Sequence, residues 1–531
     1  MSRLKNPWAL SLLTAALLSV AWPPMPVPFF VFLALVPLLM IEDHHYQVAD
    51  KPLQYYLQIS LSFTVWNAVT TYWTWFASPA GAAAAILLNA QLQTLPWLFY
   101  HRVRKTMQPK LAFPALIAFS LSIEYLHLNW DLAWPWLNLG NVFAKAVWSV
   151  QWYEITGVLG GSLWIYLVNI SVFKFLINSG QNRAWLKPTV LIVVPLMVSG
   201  FFLYRGKYKM PLKQIRYETV VVQPNIDPYS DKFGGMSPEE QLVVLMRLSD
   251  SMLTENTRLL VWPETSITDY LEESDLQMDA VILKIQEWLK NYPKTSLLAG
   301  ANTVKYYQTG ERHSETARRH PAAEDLYYDV FNTALFFDDG KVGIYHKSKL
   351  VPGVEKMPYP AIFGFLEKLT IDLGGTSGSL GSSDSAAIFS VMDTHLKIAP
   401  IICYESVFGE YVGEYVRNGA NLLVIITNDG WWKDTPGYKQ HFLYARLRAI
   451  ENRMYVARSA NTGVSGFISP MGDVLMQSDW WTQDALRYPL PAEPGETFYS
   501  QSGDYIGKIA AFFSILILVG SFVRRKTARG Y

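Results

Sequence analysis

Long apolar runs dominate the first part of the chain and return near its end. A mostly apolar window of about 17 to 25 residues can cross the hydrocarbon core of a bilayer as a helix, because a helix satisfies its own backbone hydrogen bonds there. Windows of roughly this kind lie at residues 7–22, 26–41, 55–77, 81–100, 111–128, 156–178, 188–204 and 506–523. The pattern predicts a transmembrane domain of seven spans over residues 1–210 and an eighth span, with a tail, within residues 501–531.

The first two windows are short, and residues 21–24, which include two prolines, separate them. This arrangement favours a helical hairpin. A cleaved signal peptide is the alternative, because Arg3 and Lys5 precede the apolar run. No small-x-small cleavage site is clear and further spans follow at once, so we favour the hairpin.

The orientation in the membrane follows from the basic residues of the short loops, which concentrate on the cytoplasmic side. Alternate loops and both ends carry Arg3, Lys5, Arg102, Arg104, Lys105, Lys110, Arg183, Lys187, Arg524, Arg525, Lys526 and Arg529. The remaining short loops are nearly bare of such residues, with Lys145 as the main exception. We therefore predict that both termini are cytoplasmic and that residues 211–500 lie outside the cytoplasmic membrane.

The pattern changes after residue 210 to short β-branched or apolar runs that alternate with amphipathic stretches. The runs predict strands at residues 219–223, 259–262, 296–301, 333–337, 398–402, 422–427 and 464–468. The amphipathic stretches predict helices at residues 238–256, 277–291, 409–418 and 439–449. Strands that alternate with helices indicate a layered α/β domain.

Two further segments and one single residue stand out from this division. Residues 127–152 are rich in tryptophan, which predicts a stretch along the outer membrane surface, either as an anchoring belt or as part of a lipid entry site. Glu124 is a carboxylate near the end of the fifth span, where a solvated helix end competes with a functional group. The polar residues 308–324 predict a mobile surface loop.

The composition agrees with a chain whose first part is a membrane domain. Hydrophobic residues make up 50% of the chain and charged residues 17%, and only 20 of the 89 charged residues lie before residue 211. A net charge of +1 without a long basic run gives no basic surface for nucleic acid. One cysteine excludes an intramolecular disulfide and a thiolate metal cluster. Nothing in the sequence calls for a metal or another cofactor.

That cysteine, Cys403, follows the apolar run 398–402, where a buried strand is predicted to end. Sharp strand ends display nucleophiles well. A free cysteine is also a common small core residue, so its position alone leaves both interpretations open.

Two charged residues occupy comparable positions. Glu264 follows the run 259–262 and a proline, where a carboxylate can be a general base or an ordinary surface residue. Lys347 follows a hairpin that we predict at residues 338–341. A lysine is most often a surface charge, but a fixed ammonium can stabilise an oxyanion and lower the pKa of a nearby thiol.

Glu264, Lys347 and Cys403, in this order along one α/β domain, closely resemble the catalytic set of the nitrilase superfamily. The motifs Trp262-Pro263-Glu264 and Cys403-Tyr404-Glu405, the Leu-Val-Pro sequence at 350–352 and the Trp-Pro-Trp-Leu sequence at 134–137 extend the resemblance to the apolipoprotein N-acyltransferase family of the bacterial inner membrane. The resemblance covers nearly the whole chain. It implies a nitrilase-like α/β sandwich attached to a multi-pass membrane domain.

The resemblance also implies roles for individual residues. Glu264 would be the general base, Lys347 the oxyanion-stabilising residue and Cys403 the nucleophile. Glu355 would be a second active-site carboxylate. The supporting positions around the pocket would be Asn332, which we place at the opening of a strand, Tyr404, Glu405 and, in the sequence Asn428-Asp429-Gly430-Trp431-Trp432, Asn428.

Two departures from the family pattern concern the rim of the pocket. The family usually has Leu-Val-Pro-Phe-Gly-Glu, whereas residues 350–355 are Leu-Val-Pro-Gly-Val-Glu, which puts the path of the loop before Glu355 in doubt. A tryptophan that often follows the first strand of the globular domain is not evident at residues 227–233.

The activity implied by the resemblance is acyl transfer from a membrane phospholipid to the N-terminal amine of a diacylglyceryl-prolipoprotein through a Cys403 thioester. Nothing in the sequence requires more than a monomer. A membrane-tethered amidase acting on a small amide would use the same three residues, but it would need one anchoring span rather than eight. A membrane scaffold or transporter would have no use for the intact set.

Overall fold

The computed structural model describes residues 6–48, 51–177, 183–209, 215–308, 310–321, 323, 325–360 and 379–529. Contacts divide the chain into two units. The first unit comprises Met1–Trp75, Pro79–Lys209 and Ser502–Tyr531. The second comprises Phe76–Ser78 and Met210–Gln501.

The first unit is helical. Its longer helices are Pro7–Ala21, Val36–Gln47, Pro52–Thr71, Pro79–Thr106, Ala112–Leu126, Tyr153–Ile177, Leu186–Lys209 and Tyr505–Arg529. Short helices and 3₁₀ turns connect them at Pro28–Phe30, Val31–Ala34, Thr74–Ala77, Pro109–Leu111, Pro135–Leu137, Leu139–Ala144 and Val147–Ser149. Proline is the first residue of several of these elements, since its fixed φ suits a first turn and the N–H that it lacks would be unpaired there.

Six helices in the described part of the chain are long and apolar enough to cross a membrane. They are Pro28–Gln47, Pro79–Thr106, Pro109–Leu126, Tyr153–Ile177, Leu186–Gly206 and Tyr505–Val523. Pro7–Ala21 is apolar but shorter, and the helix Pro52–Thr71 is not among the six. The multi-pass helical domain is confirmed, whereas the number of eight spans stays a prediction.

Most of the tryptophan-rich segment is buried in the first unit, and its place along the outer membrane surface stays a prediction. Trp136 and Phe143 are no more than 1% exposed, although Trp148 is 52% exposed. Glu124 is also buried rather than solvated. Its carboxylate accepts hydrogen bonds from Ser162 Oγ (2.5 Å) and Leu139 N (3.1 Å). Because a buried carboxylate needs such partners, Glu124 holds the start of the turn Leu139–Ala144 against the helix Tyr153–Ile177.

The second unit contains two β-sheets. The strands are β1 (Arg216–Gln223), β2 (Thr257–Val261), β3 (Ile267–Glu272), β4 (Ser296–Tyr307), β5 (Arg318–Arg319), β6 (Tyr327–Asp338), β7 (Lys341–His346), β8 (Phe389–Ser390), β9 (Lys397–Ile402), β10 (Leu422–Thr427), β11 (Val456–Ala460), β12 (Gly466–Ile468), β13 (Val474–Gln477) and β14 (Asp484–Pro491). One sheet has the order β14-β1-β2-β4-β6-β5, with β3 beside β4 and β7 beside β6. The other has the order β13-β12-β11-β10-β9-β8.

The two sheets face each other and helices cover them, which confirms the predicted α/β sandwich. The sheets meet at β1 and β11, where Ser459 Oγ donates to the carbonyl oxygen of Val222 (2.7 Å). The helices of this unit are Pro238–Asp250, Ala280–Leu289, Gly409–Arg417, Pro436–Asn452 and Phe498–Ser502, and its 3₁₀ turns are Leu276–Met278, Cys403–Val407 and Asp429–Trp432. Leu245 and Ile285, from the first two helices, pack in one apolar cluster with Val220 and Leu260 of the first sheet.

Parallel pairing sets the edge at which the polar residues gather. β1, β2 and β4 run parallel in the first sheet, and β9, β10 and β11 run parallel in the second. Carboxyl ends of parallel strands lie at the same edge of a sheet, where α/β proteins commonly bind ligands. The residues that follow β2, β9 and β10 therefore project from such edges.

Several predicted elements have different bounds in the structure. The strand predicted at residues 333–337 is the longer β6, so Asn332 lies inside a strand and does not open one, which corrects our prediction. The helix predicted at 238–256 ends at Asp250 because β2 begins at Thr257. The hairpin at 338–341 is confirmed: Asp339 and Gly340 both have positive φ, as a two-residue type I′ turn requires. In the described part of segment 308–324, most side chains are exposed, but β5 forms a short edge strand there.

Candidate active site

Glu264 and Cys403 each occupy a sharp turn directly beyond a buried strand. Cys403 follows β9 and begins the 3₁₀ turn Cys403–Val407, with a positive φ of 50°. Glu264 lies three residues beyond the end of β2, and Thr265 next to it also has a positive φ. Positive φ is uncommon for residues other than glycine and concentrates at functional sites. Both side chains are thereby turned out of the sheets instead of continuing the strands.

Lys347 connects the charged residues of the site. It follows β7, is 1% exposed, and its backbone N–H donates to the carbonyl oxygen of Asn332 (2.9 Å). Its Nζ donates to Glu355 Oε1 (2.7 Å) and to Glu264 Oε1 (3.2 Å). A buried ammonium needs such partners because burial strongly disfavours an unpaired charge. Lys347 is therefore a fixed charge between two carboxylates and not a surface lysine.

Asn332 contributes an amide to the same cluster. It pairs across the sheet with Asn302, and its Nδ2 donates to Glu264 Oε1 (2.8 Å) and to Glu355 Oε1 (3.3 Å). Two donors, Asn332 and Lys347, thus hold the same oxygen of Glu264. This arrangement leaves the second carboxylate oxygen of Glu264 outside these two hydrogen bonds.

The loop that departs from the family pattern brings Glu355 to the site. Gly353 has a φ of 74°, which glycine adopts without strain, so the chain turns within residues 351–356. Glu355 Oε2 then accepts from the backbone N–H of Val351 (2.8 Å) while Oε1 faces Lys347. The shifted glycine is therefore compatible with a carboxylate beside Lys347.

Glu405 joins the two segments that carry Lys347 and Cys403. Its fully buried carboxylate accepts from the backbone N–H of Ser348 (2.6 Å), next to Lys347, and from that of Ile402 (2.7 Å), next to Cys403. Burial raises the pKa of Glu405 to about 7, against these hydrogen bonds, which lower it. Glu405 thus holds the two segments together without reaching into the site itself.

Tyr404 and Asn428 are the remaining predicted site residues. Tyr404 is buried and packs edge-on against Phe408. Burial, together with the charge of Glu355, raises the pKa of its hydroxyl well above the usual range. Asn428 follows β10 and is 2% exposed. Its Oδ1 accepts from Asn461 Nδ2 (3.2 Å), while its Nδ2 has no hydrogen-bond partner among the described residues.

The electrostatics of the site favour a charged lysine and a neutral thiol. Burial alone would lower the pKa of Lys347, but Glu355 and Glu264 hold it well above its usual value. Burial raises the pKa of Cys403 well above its usual value, and the charge of Glu264 adds to this effect. Lys347 lowers the pKa of the thiol, as expected, but does not outweigh burial. The resting residue is therefore a thiol that needs a base.

One cleft collects these residues. Its polar lining consists of Glu264, Thr265, Asn302, Asn332, Lys347, Glu355, Cys403 and Asn428. Its apolar lining consists of Ala77, Phe233, Val351, Val354, Leu380, Trp431 and Trp432. Tyr404 and Glu405 lie outside the lining and act through neighbouring residues. An aliphatic chain can lie along the apolar lining while a polar carbonyl group meets the charged end.

Sequence reasoning missed two residues beside this cleft. Phe233 lines it and stacks on Trp431, with ring centroids 6.1 Å apart, in the stretch where the expected tryptophan was not evident. Lys232 is 2% exposed, and its Nζ donates to the backbone carbonyl of Glu264 (3.0 Å). An aromatic residue at 233 could have been recognised as a substitute for the tryptophan, but the burial of Lys232 had no local signal.

Comparisons with known proteins agree over most of the chain. The profile of the carbon-nitrogen hydrolase family matches residues 221–492, and that of the apolipoprotein N-acyltransferase N-terminal domain matches residues 14–171. The apolipoprotein N-acyltransferase of Chlorobaculum tepidum is 29% identical over 98% of both chains. That of Geobacter metallireducens is 25% identical over 94% of this chain and 92% of its own.

Among solved structures, an amidase from Nesterenkonia sp. is 15% identical, covers 56% of this chain and 96% of its own, and has a TM-score of 0.35. Both halves of the chain thus match profiles, and the carbon-nitrogen hydrolase match alone covers half of its residues. The chain therefore belongs to the carbon-nitrogen hydrolase superfamily and, within it, to the apolipoprotein N-acyltransferase family.

Proposed function

We propose that this protein transfers a fatty acyl group from a membrane phospholipid to the N-terminal amine of the diacylglyceryl-cysteine of apolipoproteins, through a thioester on Cys403. The observation that carries the proposal is the meeting of Glu264, Lys347 and Cys403 in one cleft that is also lined by apolar side chains. Membership of the apolipoprotein N-acyltransferase family supports the same substrates. The proposed reaction uses only side chains of this chain.

In the first half-reaction, Cys403 takes the acyl group. Glu264 accepts the thiol proton while Sγ bonds to the ester carbonyl carbon, and the carbonyl oxygen becomes an oxyanion. Lys347 Nζ stabilises that oxyanion, and Asn428 Nδ2 supplies a second donor. The bond to the glycerol oxygen then breaks, and Glu264 returns its proton to the leaving lysophospholipid. A thioester remains on Cys403.

In the second half-reaction, the acceptor amine replaces the sulfur. Its nitrogen bonds to the thioester carbonyl carbon, Glu264 accepts a proton from the nitrogen, and Lys347 again stabilises the oxyanion. The carbon–sulfur bond breaks, the sulfur regains a proton from Glu264, and an amide is formed. Each half-reaction uses the same base and the same ammonium.

The contact of two carboxylates with one ammonium suits these proton transfers. Lys347 contacts both Glu264 and Glu355, so the three ionised groups together carry one negative charge. When Glu264 takes up the thiol proton, its negative charge passes to the sulfur and then to the oxyanion, while Lys347 and Glu355 stay ionised. The total charge of the site therefore does not change, and the charge that forms on the reacting atoms has the ammonium of Lys347 nearby, whereas an unpaired buried charge would be costly.

The size of the hydrophobic effect accounts for the membrane unit. Withdrawing an acyl chain of about 16 carbons into water would cost on the order of 10 kcal/mol, at about 0.8 kcal/mol per CH₂. An enzyme whose donor and acceptor are both lipids therefore has to work at the bilayer. We propose that residues 1–210 and 501–531 anchor a periplasmic catalytic domain, residues 211–500, with both termini cytoplasmic. We further propose that the protein acts as a monomer, since one chain supplies every residue of the site.

Intact-protein mass spectrometry of material purified from membranes tests the function. We expect a fatty-acyl adduct on Cys403, the only cysteine of the chain, that a lipopeptide with a free N-terminal amine discharges. Cys403→Ala should lack the adduct. Release of ammonia from small amides without an acyl adduct would identify an amidase instead and would sink the proposal.

A further inference from the structure

A second buried charged group contacts the turn that carries Cys403. It consists of Asp429, His441 and Arg458, which are each no more than 1% exposed. Arg458 Nη2 donates to Asp429 Oδ2 (2.7 Å), and His441 Nδ1 lies 2.9 Å from Asp429 Oδ1. Because an ionised carboxylate can only accept, Nδ1 is the donor of this hydrogen bond. The three residues come from the turn after β10, the helix Pro436–Asn452 and β11.

The second ring nitrogen of His441 faces the turn that carries Cys403. Nε2 lies 2.9 Å from Ser406 Oγ and 3.2 Å from the carbonyl oxygen of Cys403. Ser406 Oγ in turn donates to that carbonyl oxygen (2.7 Å). His441 and Ser406 therefore hold the backbone of Cys403 itself.

Thr427 also belongs to this group. Its hydroxyl donates to Asp429 Oδ1 (3.0 Å), and Thr427 lowers the pKa of the Cys403 thiol. Side chains thus run from Thr427 through Asp429, His441 and Ser406 to the carbonyl oxygen of Cys403. None of these four residues has a part in the proton transfers proposed above.

The turn at Cys403 needs such support. A residue with a side chain is strained in an unusual backbone conformation, which persists only where surrounding contacts hold it. Cys403 has a φ of 50°. Asp429 is kept ionised in the interior: burial alone would raise its pKa, but Arg458 and His441 lower it to about 2. The side chains that support the Cys403 turn are therefore anchored by the ionised Asp429 and its partner Arg458.

We propose that His441 is a positioning residue that, anchored by Asp429 and Arg458, holds the Cys403 turn through Ser406 and so keeps the sulfur ready for attack. The proposal rests on Cys403 as the nucleophile of the proposed function. It assigns to His441 no contact with substrate and no proton transfer with the acyl groups.

Alkylation of Cys403 by iodoacetamide tests the proposal without any lipid substrate. Since the chain has one cysteine, the rate of modification of the full-length protein in detergent reports on this residue alone. The amide of glutamine can replace Nε2 of a histidine, and that of asparagine can replace Nδ1. His441→Gln therefore retains a hydrogen-bonding group toward Ser406, whereas His441→Asn retains only the contact with Asp429.

We expect His441→Asn to slow alkylation by about tenfold or more, roughly the loss of one well-placed hydrogen bond, and His441→Gln to stay within about threefold of the unchanged protein. Ser406→Ala should slow the reaction as His441→Asn does. Ser459→Ala is the matched control: it removes another fully buried hydroxyl that donates to a backbone carbonyl at 2.7 Å, and alkylation should continue at the original rate.

If the alkylation rate falls equally in His441→Asn and His441→Gln, in parallel with lower thermal stability, the histidine is merely structural and the proposal is overturned. If neither variant folds, Ser406→Ala decides, because it removes the link to the carbonyl while the imidazole remains; an unchanged rate there also overturns it. The acyl-adduct measurement is independent of this test. Loss of the adduct with the expected alkylation pattern would refute the proposed function and leave the role of His441 intact.

Discussion

At the scale of single residues, the charge state of each buried group in the site depends on the partners that contact it. Lys347 is buried and remains charged because two carboxylates contact it, whereas Cys403 is buried and remains neutral. Lys232, also buried, has one hydrogen bond described for its ammonium, to the carbonyl of Glu264. Removing a charged group from water is unfavourable for all three residues, but the charge state that results differs because their partners differ.

Lys232 should make the stability of the protein depend on pH. Burial lowers the pKa of Lys232 to about 7, although the charge of Glu264 opposes this. An unfolded lysine binds its proton below about 10.4. Between pH 7 and 10 the unfolded state thus holds more protons at this residue, and its contribution to stability rises with pH.

The comparison of Lys232→Met with the unchanged protein isolates this effect. Methionine keeps the length of the side chain and cannot ionise. The melting temperature of Lys232→Met relative to that of the unchanged protein should therefore be highest near pH 7 and fall steadily toward pH 10. Tryptophan fluorescence during thermal unfolding in detergent provides the measurement. A difference that stays constant across this range would contradict the prediction.

At the scale of elements, two strands and their turns determine where Glu264 lies. β2 and β4 are adjacent and parallel, and Gly300 in β4 passes directly beneath the turn after β2. The backbone N–H of Gly300 donates to the carbonyl oxygen of Pro263 (3.1 Å), and Ser266 Oγ donates to the carbonyl oxygen of Gly300 (2.9 Å). Only a residue without a side chain allows this close approach.

Gly300→Ala should therefore displace Glu264, the proposed general base. An added Cβ would lie 2.6 Å from the Cα of Glu264 and 2.5 Å from the N of Thr265, so this turn has to move. A displacement near 1 Å in a catalytic geometry can cost about 100-fold in rate, and we expect a loss of about 10- to 100-fold in acyl-enzyme formation. In Gly234→Ala, the matched control, an added Cβ has no atom within 4 Å. Normal acylation of Gly300→Ala would show that Glu264 tolerates displacement.

At the scale of the whole molecule, the chain combines a helical unit with an α/β sandwich. Helices near both ends of the chain belong to the first unit, and the long segment between them forms most of the second. The six apolar helices make this a membrane protein by length and composition. The basic residues of the short loops predict the side of the membrane on which each segment lies.

Reporter fusions test the proposed topology. A fluorescent protein that matures only in the cytoplasm should be active when fused after Tyr531 and inactive when inserted after Gly310, in the exposed segment before β5. Alkaline phosphatase, which is active only outside the cytoplasm, should give the opposite result at both positions. Phosphatase activity after Tyr531 would overturn the proposed orientation.

Local pattern accounts for much of the fold and for part of the site. Cys403 and Glu264 follow apolar runs that form β9 and β2, and the Asp-Gly sequence at 339–340 forms the predicted turn. β11 was missed, because it contains Arg458, and a charge interrupts the apolar pattern of a buried strand. Asp429, from another strand end, supplies the buried counter-charge, and the carbonyl oxygen of Val464 accepts a further hydrogen bond from the guanidinium.

The amino-acid sequence by itself determined the division into membrane and α/β parts and the positions of candidate residues at the ends of strands, because hydrophobic periodicity and turn chemistry are local properties. The tertiary structure decided which charges meet: Lys347 with Glu355 and Glu264, Arg458 with Asp429, and Glu124 with Ser162 instead of solvent. Whether a charge is buried, and which distant group compensates it, depends on the packing of segments far apart in the chain, and no local pattern records that.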